Sequence, residues 1–206
     1  ADLSEEVTLR AEHAGAAAPL CVSQERMWFL QHPISDGAAY NMTAGALVEG
    51  PLDREALIGS LRDLMARQAS LRTTFSLVAG EPRQVIAAEP QLPLVEHDLT
   101  SLPEAERVPA AARLGAELDS CRWDFERGPL WQVLLARLGD DRHVIVIGMH
   151  HIVSDLWSFG VMSRDLAALY TARVRGVDPA LPALPVQYAD FARWQHAWFA
   201  GPRLEE

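Results

Sequence analysis

Hydrophobic positions along the chain alternate between two periods. "SQERMWFLQH" from Ser23 has Met27, Trp28 and Leu30/Gln31 on neighbouring helical faces, and "PISDG" ends it with turn residues. "YNMTAGALVEG" then alternates, with Met42, Ala44, Ala46 and Val48 on one side of an expected strand. Asp53 is placed to cap a helix whose Leu57, Leu61, Leu64 and Met65 recur at helical spacing up to about Ala69. "SLRTTFSLV" returns to period two. Leu71, Thr73, Phe75 and Leu77 share one face, with Arg72, Thr74 and Ser76 on the other. "AGEP" reads as a turn and "RQVIAA" as the return strand of a hairpin.

Pro103 suits the first turn of a further helix, lined by Val108, Leu114, Leu118 and Cys121 and either bent or delayed by Pro109. "LWQVLLARL" and "HVIVIGM" flank "GDDR" as a second hairpin. Both strands are apolar on both faces, as expected in the middle of a covered sheet. A helix follows from near Trp157, carrying Phe159, Met162, Leu166, Leu169 and Tyr170, with Gly176 as its stop. "DPALPALP" links it to an aromatic helix, "QYADFARWQHAWF". The layout is α+β, helices packed on a mixed sheet, folded from about Pro19; residues 1–18 read as a linker or leader.

Composition narrows the function classes. With 206 residues, 49% of them hydrophobic, the chain is able to bury a substantial core. Eighteen basic against twenty-eight acidic residues, a net charge of −10, argue against nucleic acid as partner. No apolar run approaches the roughly 18–20 residues of a membrane span, and residues 1–18 lack the pattern of a signal peptide, so the expectation is a cytoplasmic protein with no membrane partner. Cys21 and Cys121 are far apart and form no CxxC pair; both are expected to be buried as small apolar residues.

The candidate chemistry lies in "GMHHIVSDLWSFGVM", Gly148 to Met162. Neighbouring strand residues point to opposite faces, so one of His150 and His151 is expected to face a cavity while the other packs inward. Adjacent histidines without a third ligand make a poor metal site, and none is expected. A histidine at a strand-to-helix junction with a carboxylate close behind has the parts of a general base. Asp155 has a second reading as the cap of the next helix, a role Ser154 is able to share.

"MHHIVSDLWS" resembles the HHxxxDG signature of the condensation domains of nonribosomal peptide synthetases and their chloramphenicol acetyltransferase-like relatives. "CVSQERMWFL" is similar to that family's SxAQxRLWFL, "RQASLRTTF" to its RHExLRTxF, "WDFERGPLW" to its FDxxxGPL and "VQYADFARWQ" to its YxDYAxWQ, together covering roughly residues 19–200. The resemblance implies a chloramphenicol acetyltransferase-like lobe, residues 19–206, standing as the N-terminal lobe of a condensation domain whose C-terminal lobe is absent from this sequence. It makes His151 the active-site histidine, His150 a structural neighbour and Asp155 a structural ion-pair partner, of Arg67 first and Arg72 second. An aspartate buried without a cation costs several kcal/mol, which also asks for an arginine.

The implied reaction joins an acyl or peptidyl thioester on one carrier protein to an amine on another. Both reactants ride on the partners' phosphopantetheine, so the chain itself is expected to bind no cofactor. An ester-forming or epimerising variant, and a non-catalytic module that docks a carrier protein or partner enzyme, are the alternatives. His150 speaks against the heterocyclising branch, which has aspartate there. This sequence departs from the pattern at Gln68-Ala69 for His-Glu, Met27 for Leu and Leu156 for Gly. Leu156, Trp157 and Ser158 are candidate channel-lining residues, Leu156 either narrowing the channel, reshaping a pocket or facing outward. Without the second lobe, His151 is expected at an open interface and the isolated chain to be inactive.

Overall fold

The structure, a computed structural model, describes residues 8–11, 17–30, 38–89 and 91–200. Most of the expected leader, the "PISDG" turn and the final "RLEE" lie outside the described residues. In chain order the elements are β1 (Ala18–Pro19), α1 (Val22–Leu30), β2 (Asn41–Glu49), α2 (Arg54–Arg67), a 3-10 turn (Ala69–Arg72), β3 (Thr73–Val78), β4 (Glu81–Ile86), β5 (Leu94–Asp98), α3 (Glu104–Asp119), β6 (Trp131–Gly139), β7 (Arg142–His150), α4 (Leu156–Arg175) and α5 (Tyr188–Phe199).

The described strands form two sheets where the pattern suggested one. One is three-stranded, in the order β1-β4-β3; the other is four-stranded and mixed, in the order β2-β7-β6-β5. All pairs are antiparallel except β5 with β6. The short, half-exposed β5 and the two-residue β1 carry no alternation long enough to read. The continuously apolar strands β6 and β7 occupy the centre, as their composition requires.

Both faces of that sheet are covered. Trp131, Val133 and Leu135 of β6 and Met149 of β7 meet Leu57, Leu61, Leu64 and Met65 of α2 and Met162 and Leu169 of α4. Their neighbours of opposite parity, Leu134, Ala136 and Leu138 of β6 and Val146 of β7, meet Ala111 and Leu118 of α3. Gly148 makes the second contact close. A Cβ there would lie 3.0 Å from that of Leu118, so a side chain at 148 would push α3 off the sheet.

Several local expectations shift. Asp53 caps α2 through its side chain, which accepts from the Ala56 N–H at 2.9 Å. Leu71 falls in the 3-10 turn instead of in β3, and Leu77 is exposed near the tip of the β3–β4 hairpin. Pro103 is the cap residue of α3, and Pro109 sits inside the helix without delaying its start. Val108 is exposed; the sheet-facing side of α3 is made of Ala110, Ala111, Gly115 and Leu118, small residues that allow close approach. Cys21 is buried, whereas Cys121, beyond the end of α3, is only partly so. Gly176, at φ 66°, terminates α4 in the left-handed conformation glycine adopts without strain.

Candidate active site

Strand β7 ends at His150 and the chain turns at once. The His151 N–H donates to the Tyr40 carbonyl (2.8 Å), the last link to the β2 side, and the Val153 N–H donates back to the His150 carbonyl (3.1 Å). A third apolar cluster, with Trp28 of α1, Phe75 of β3, Phe125 and Leu130, packs around Ile152 and Val153 and fixes the turn. Gln24, buried on α1, ties the helix to it: its side-chain oxygen accepts from the Cys21 N–H (3.0 Å) and its amide donates to the Ile152 carbonyl (3.1 Å).

The two histidines separate as strand alternation requires. His150 is 4% exposed, with Phe125 edge-on to its ring at 4.7 Å between centroids. The Ile152 N–H donates to its Nδ1 at 3.1 Å, so that nitrogen is an acceptor and the ring is held neutral. Burial, with the neighbouring His151 as a second cause, pushes its pKa down to about 4. His150 is thus a buried ring packed beside the site, its Nδ1 already engaged by the Ile152 N–H.

His151 is half-buried and lines a cavity of about 400 Å³ between α1, α4 and the segment leading into α5. Its Nδ1 lies 2.6 Å from the Ser154 carbonyl oxygen. A carbonyl only accepts, so Nδ1 carries the proton and a neutral ring keeps its lone pair on Nε2. A backbone carbonyl thus sets the tautomer, the task a carboxylate performs in other histidine sites.

Asp155 does not make the expected ion pair. Its Oδ1 accepts from the Ser158 N–H (2.8 Å) and Oγ–H (2.7 Å), while the Asp155 N–H donates to Ser158 Oγ (3.1 Å), a reciprocal cap on α4. The Ser158 hydroxyl bond, ahead of the Ser158 N–H and the nearby His151, holds this carboxyl below its usual range against partial burial. Arg67 instead meets Asp165, Nε to Oδ2 at 2.9 Å, with Asp165 wholly buried. Asp165 lies ten residues, about 15 Å, further along α4, where α2 packs. Burial alone would raise the Asp165 pKa; hydrogen bonds from Arg67, Arg164 and Gln68 outweigh it and keep the carboxyl ionised. Arg72, the second choice, donates through Nη1 to the Ala87 carbonyl (2.7 Å), and its buried Nε has no partner among the described residues.

Of the three channel candidates, Trp157 and Ser158 line the cavity. Leu156 does not: it is 85% exposed at the first turn of α4 and faces outward. It lies in the helix, and the non-glycine residues of positive φ among those described are Ala79 and Ala180, so position 156 requires no glycine. Tyr188 and Ser23 also line the cavity and were not singled out from sequence. The Tyr188 hydroxyl sits 3.1 Å from Cys21 Sγ, and burial raises its pKa. Among the described residues, no group of three or more His, Cys, Asp or Glu side chains is arranged to hold a metal. No described helix is long and apolar enough to cross a membrane.

The family model of the condensation domain matches residues 15–206. The chain belongs to the condensation domain family. Among the relatives of this condensation domain, phosphinothricin tripeptide synthetase PhsC of Streptomyces viridochromogenes is 43% identical over 188 residues, 91% of this chain and 17% of that protein. Malpibaldin synthetase of Mortierella alpina is 40% identical over 187 residues, 90% of this chain and 3% of that protein. The chain thus spans a small part of the curated relatives it matches. Among solved structures, the X-domain in the complex of the X-domain and OxyB from teicoplanin biosynthesis is 34% identical, with a TM-score of 0.78 over 95% of this chain and 41% of that one. The starter condensation domain of rhizomide synthetase RzmA, 20% identical, shares the fold with a TM-score of 0.82, over 90% of this chain and 45% of that one. The α+β condensation-domain fold expected from the motifs is the fold observed.

Proposed function

We propose that this chain is the N-terminal lobe of an amide-forming condensation domain, in which His151 serves the acceptor amine. The observation that carries the reading is the 2.6 Å bond from His151 Nδ1–H to the Ser154 carbonyl, in a ring that lines the cavity. It leaves Nε2 as the basic nitrogen. The amine on one carrier protein attacks the thioester carbonyl on another, forming the C–N bond and an oxyanion. Nε2 takes or orients the amine proton. Collapse of the oxyanion breaks the C–S bond, and the departing phosphopantetheine thiolate receives a proton. No covalent acyl-enzyme is needed, and no cofactor is bound by the chain itself; the substrates bring phosphopantetheine with their carrier proteins. A cytoplasmic setting accords with such partners. The second lobe would form the opposite wall of the site, and the isolated chain is expected to give no turnover.

The test uses the complete domain with donor- and acceptor-loaded carrier proteins. His151→Ala should lower product formation by about 10²-fold or more, the range of general acid–base contributions. Equal product from both proteins overturns the assignment. The similarity to the X-domain in complex with OxyB favours a second reading, a module that docks a partner enzyme. Firm partner binding by a wild-type domain that forms no product would support it.

A further inference from the structure

His151 is held by its backbone as well as by the Ser154 carbonyl, and the backbone anchor leads to one side chain. The His151 N–H donates to the Tyr40 carbonyl at 2.8 Å. That carbonyl shares a planar peptide unit with the N–H of Asn41, which donates to the Ala38 carbonyl at 3.0 Å. Asn41 opens β2 and lies opposite His150 in the register of β2 with β7. Whatever fixes Asn41 therefore fixes the plane from which His151 hangs.

The Asn41 side chain uses both ends of its amide. Nδ2 faces three carbonyls around the end of α3, those of Cys121 (2.8 Å), Asp119 (2.9 Å) and Leu118 (3.3 Å). Two hydrogens serve them, so the longest contact is shared. Oδ1 accepts from the Trp123 indole N–H at 2.8 Å. Carbonyls at one end and an N–H donor at the other allow the amide a single orientation. The last carbonyls of a helix have no partner within it; for Leu118 and Asp119 the donor comes from a strand residue 77 and 78 positions earlier. Trp123, bound in this way, packs against the cluster of Trp28, Phe75 and Phe125 that surrounds Ile152 and Val153. Asn41 thus reaches the histidine turn by two routes, the Tyr40 peptide before it and Trp123 after α3.

We propose that Asn41 is a positioning residue for the reaction: its side chain locks the C-terminal end of α3 to the first residue of β2 and so holds His151 in place beside the cavity. The proposal rests on the amide-forming reading. A base acts only within hydrogen-bond reach of the proton it takes, and a misplacement of about 1 Å costs on the order of 10²-fold in rate. A β2 end released from α3 would lower the rate without weakening substrate binding. Thr43 supplies a comparison within the same pair of elements. Its hydroxyl donates to the Asp119 carboxylate, joining β2 to the end of α3, but at a point further along the strand from the Tyr40 peptide.

The experiment uses the complete domain with loaded carrier proteins and compares the wild type with Asn41→Ala, Asn41→Asp, Thr43→Val, His151→Ala and the double variant Asn41→Ala/His151→Ala. Asn41→Ala should lower kcat about 10-fold or more and leave the KM for the acceptor-loaded carrier within about 2-fold. Asn41→Asp keeps the acceptor for Trp123 but gives up both donors and sets a carboxylate against the carbonyls, so it should lose at least as much. Thr43→Val should keep kcat within about 2-fold of the wild type. In the His151→Ala background, Asn41→Ala should add less than about 2-fold, because a residue that acts through an imidazole has nothing to act on once the imidazole is gone. A loss of folded protein would instead lower both rates by the same factor. Hydrogen exchange in peptides that contain His151, followed by mass spectrometry, should quicken in Asn41→Ala and not in Thr43→Val. If Asn41→Ala does not fold, Trp123→Phe removes the indole bond while keeping a ring in the cluster, and should lower kcat about 3-fold with the same non-additivity. A kcat within about 2-fold of the wild type in Asn41→Ala, or losses that multiply with that of His151→Ala, overturns the proposal. Undiminished product from His151→Ala overturns the catalytic reading, and hydrogen exchange then decides by itself whether Asn41 holds the turn.

Discussion

His150 and His151 are one peptide bond apart and do different work because their ring nitrogens meet different backbone groups. An N–H donates to His150 Nδ1, which favours the neutral ring; a carbonyl accepts from His151 Nδ1–H, a bond that survives whether or not Nε2 takes a proton. The first arrangement has a consequence for stability. His150 has a folded pKa of about 4 against an ordinary value near 6.5, so the unfolded chain binds the proton more readily. Its contribution is complete above the unfolded value and is lost as pH falls toward the folded one, amounting to about 2 kcal/mol by pH 5 and about 3 kcal/mol by pH 4. His143, whose pKa burial also lowers, acts in the same direction, so the informative quantity is a difference. Denaturant unfolding at pH 7.5 and 5.0 should show the wild type losing about 2 kcal/mol more than His150→Asn, which offers an acceptor oxygen but does not titrate. Parallel losses in the two proteins would show that His150 is not the group being protonated.

At the scale of elements, α2 and α4 are joined by Arg67 and Asp165, and that pair illustrates what the sequence made readable. The apolar stripe of α4 was visible, and Asp165 lies on it, three residues after Met162 and four before Leu169. A carboxylate at such a position has to be buried with a cation, so the polar member of the stripe is itself the signal for the partner of Arg67. The family motif pairs Asp155 with an arginine, whereas local chemistry, Asp followed three residues later by Ser, spells the helix cap that is observed. The central hairpin and the divergence of the two histidines were readable because strand parity is strict. The cavity was less so. Ser23, Gln24, Gln187 and Tyr188 come from segments about 160 residues apart, and their meeting depends on how α1 and α5 dock, which no local periodicity encodes. Removing the Arg67 guanidinium should be costly. Arg67→Ala should destabilise by about 3 kcal/mol, the low end for a broken buried pair because Arg164 and Gln68 still reach the carboxylate. Arg67→Ala combined with Asp165→Leu should cost less than Arg67→Ala alone, as judged by denaturant midpoints; a double variant less stable than the single one would mean that the pair contributes through something other than compensation of the buried charge.

At the scale of the molecule, the described fold leaves one end of its site uncovered. Leu156 and Trp157, 85% and 82% exposed, stand side by side at the start of α4, and Trp157 also borders the cavity. Large apolar side chains this open, beside the proposed site, fit a surface that another part of the domain covers. The chain spans only 41% and 45% of the X-domain and starter-domain chains it matches, which leaves ample polypeptide to do so. On the proposed arrangement, the leucine that replaces glycine after Asp155 is an interface residue and not an obstruction in the cavity. Acrylamide quenching separates the two situations when read as a difference between wild type and Trp157→Phe: Trp28 and Trp131 are buried, Trp123, Trp194 and Trp198 are partly buried and common to both proteins, and Trp157 is exposed. The difference in quenching between the wild type and Trp157→Phe should be large in the 206-residue chain and should fall several-fold in the complete domain, as contact removes Trp157 from water. An equally large difference in both would mean that the second half leaves this surface open, and the wall opposite His151 would then have to come from a partner protein.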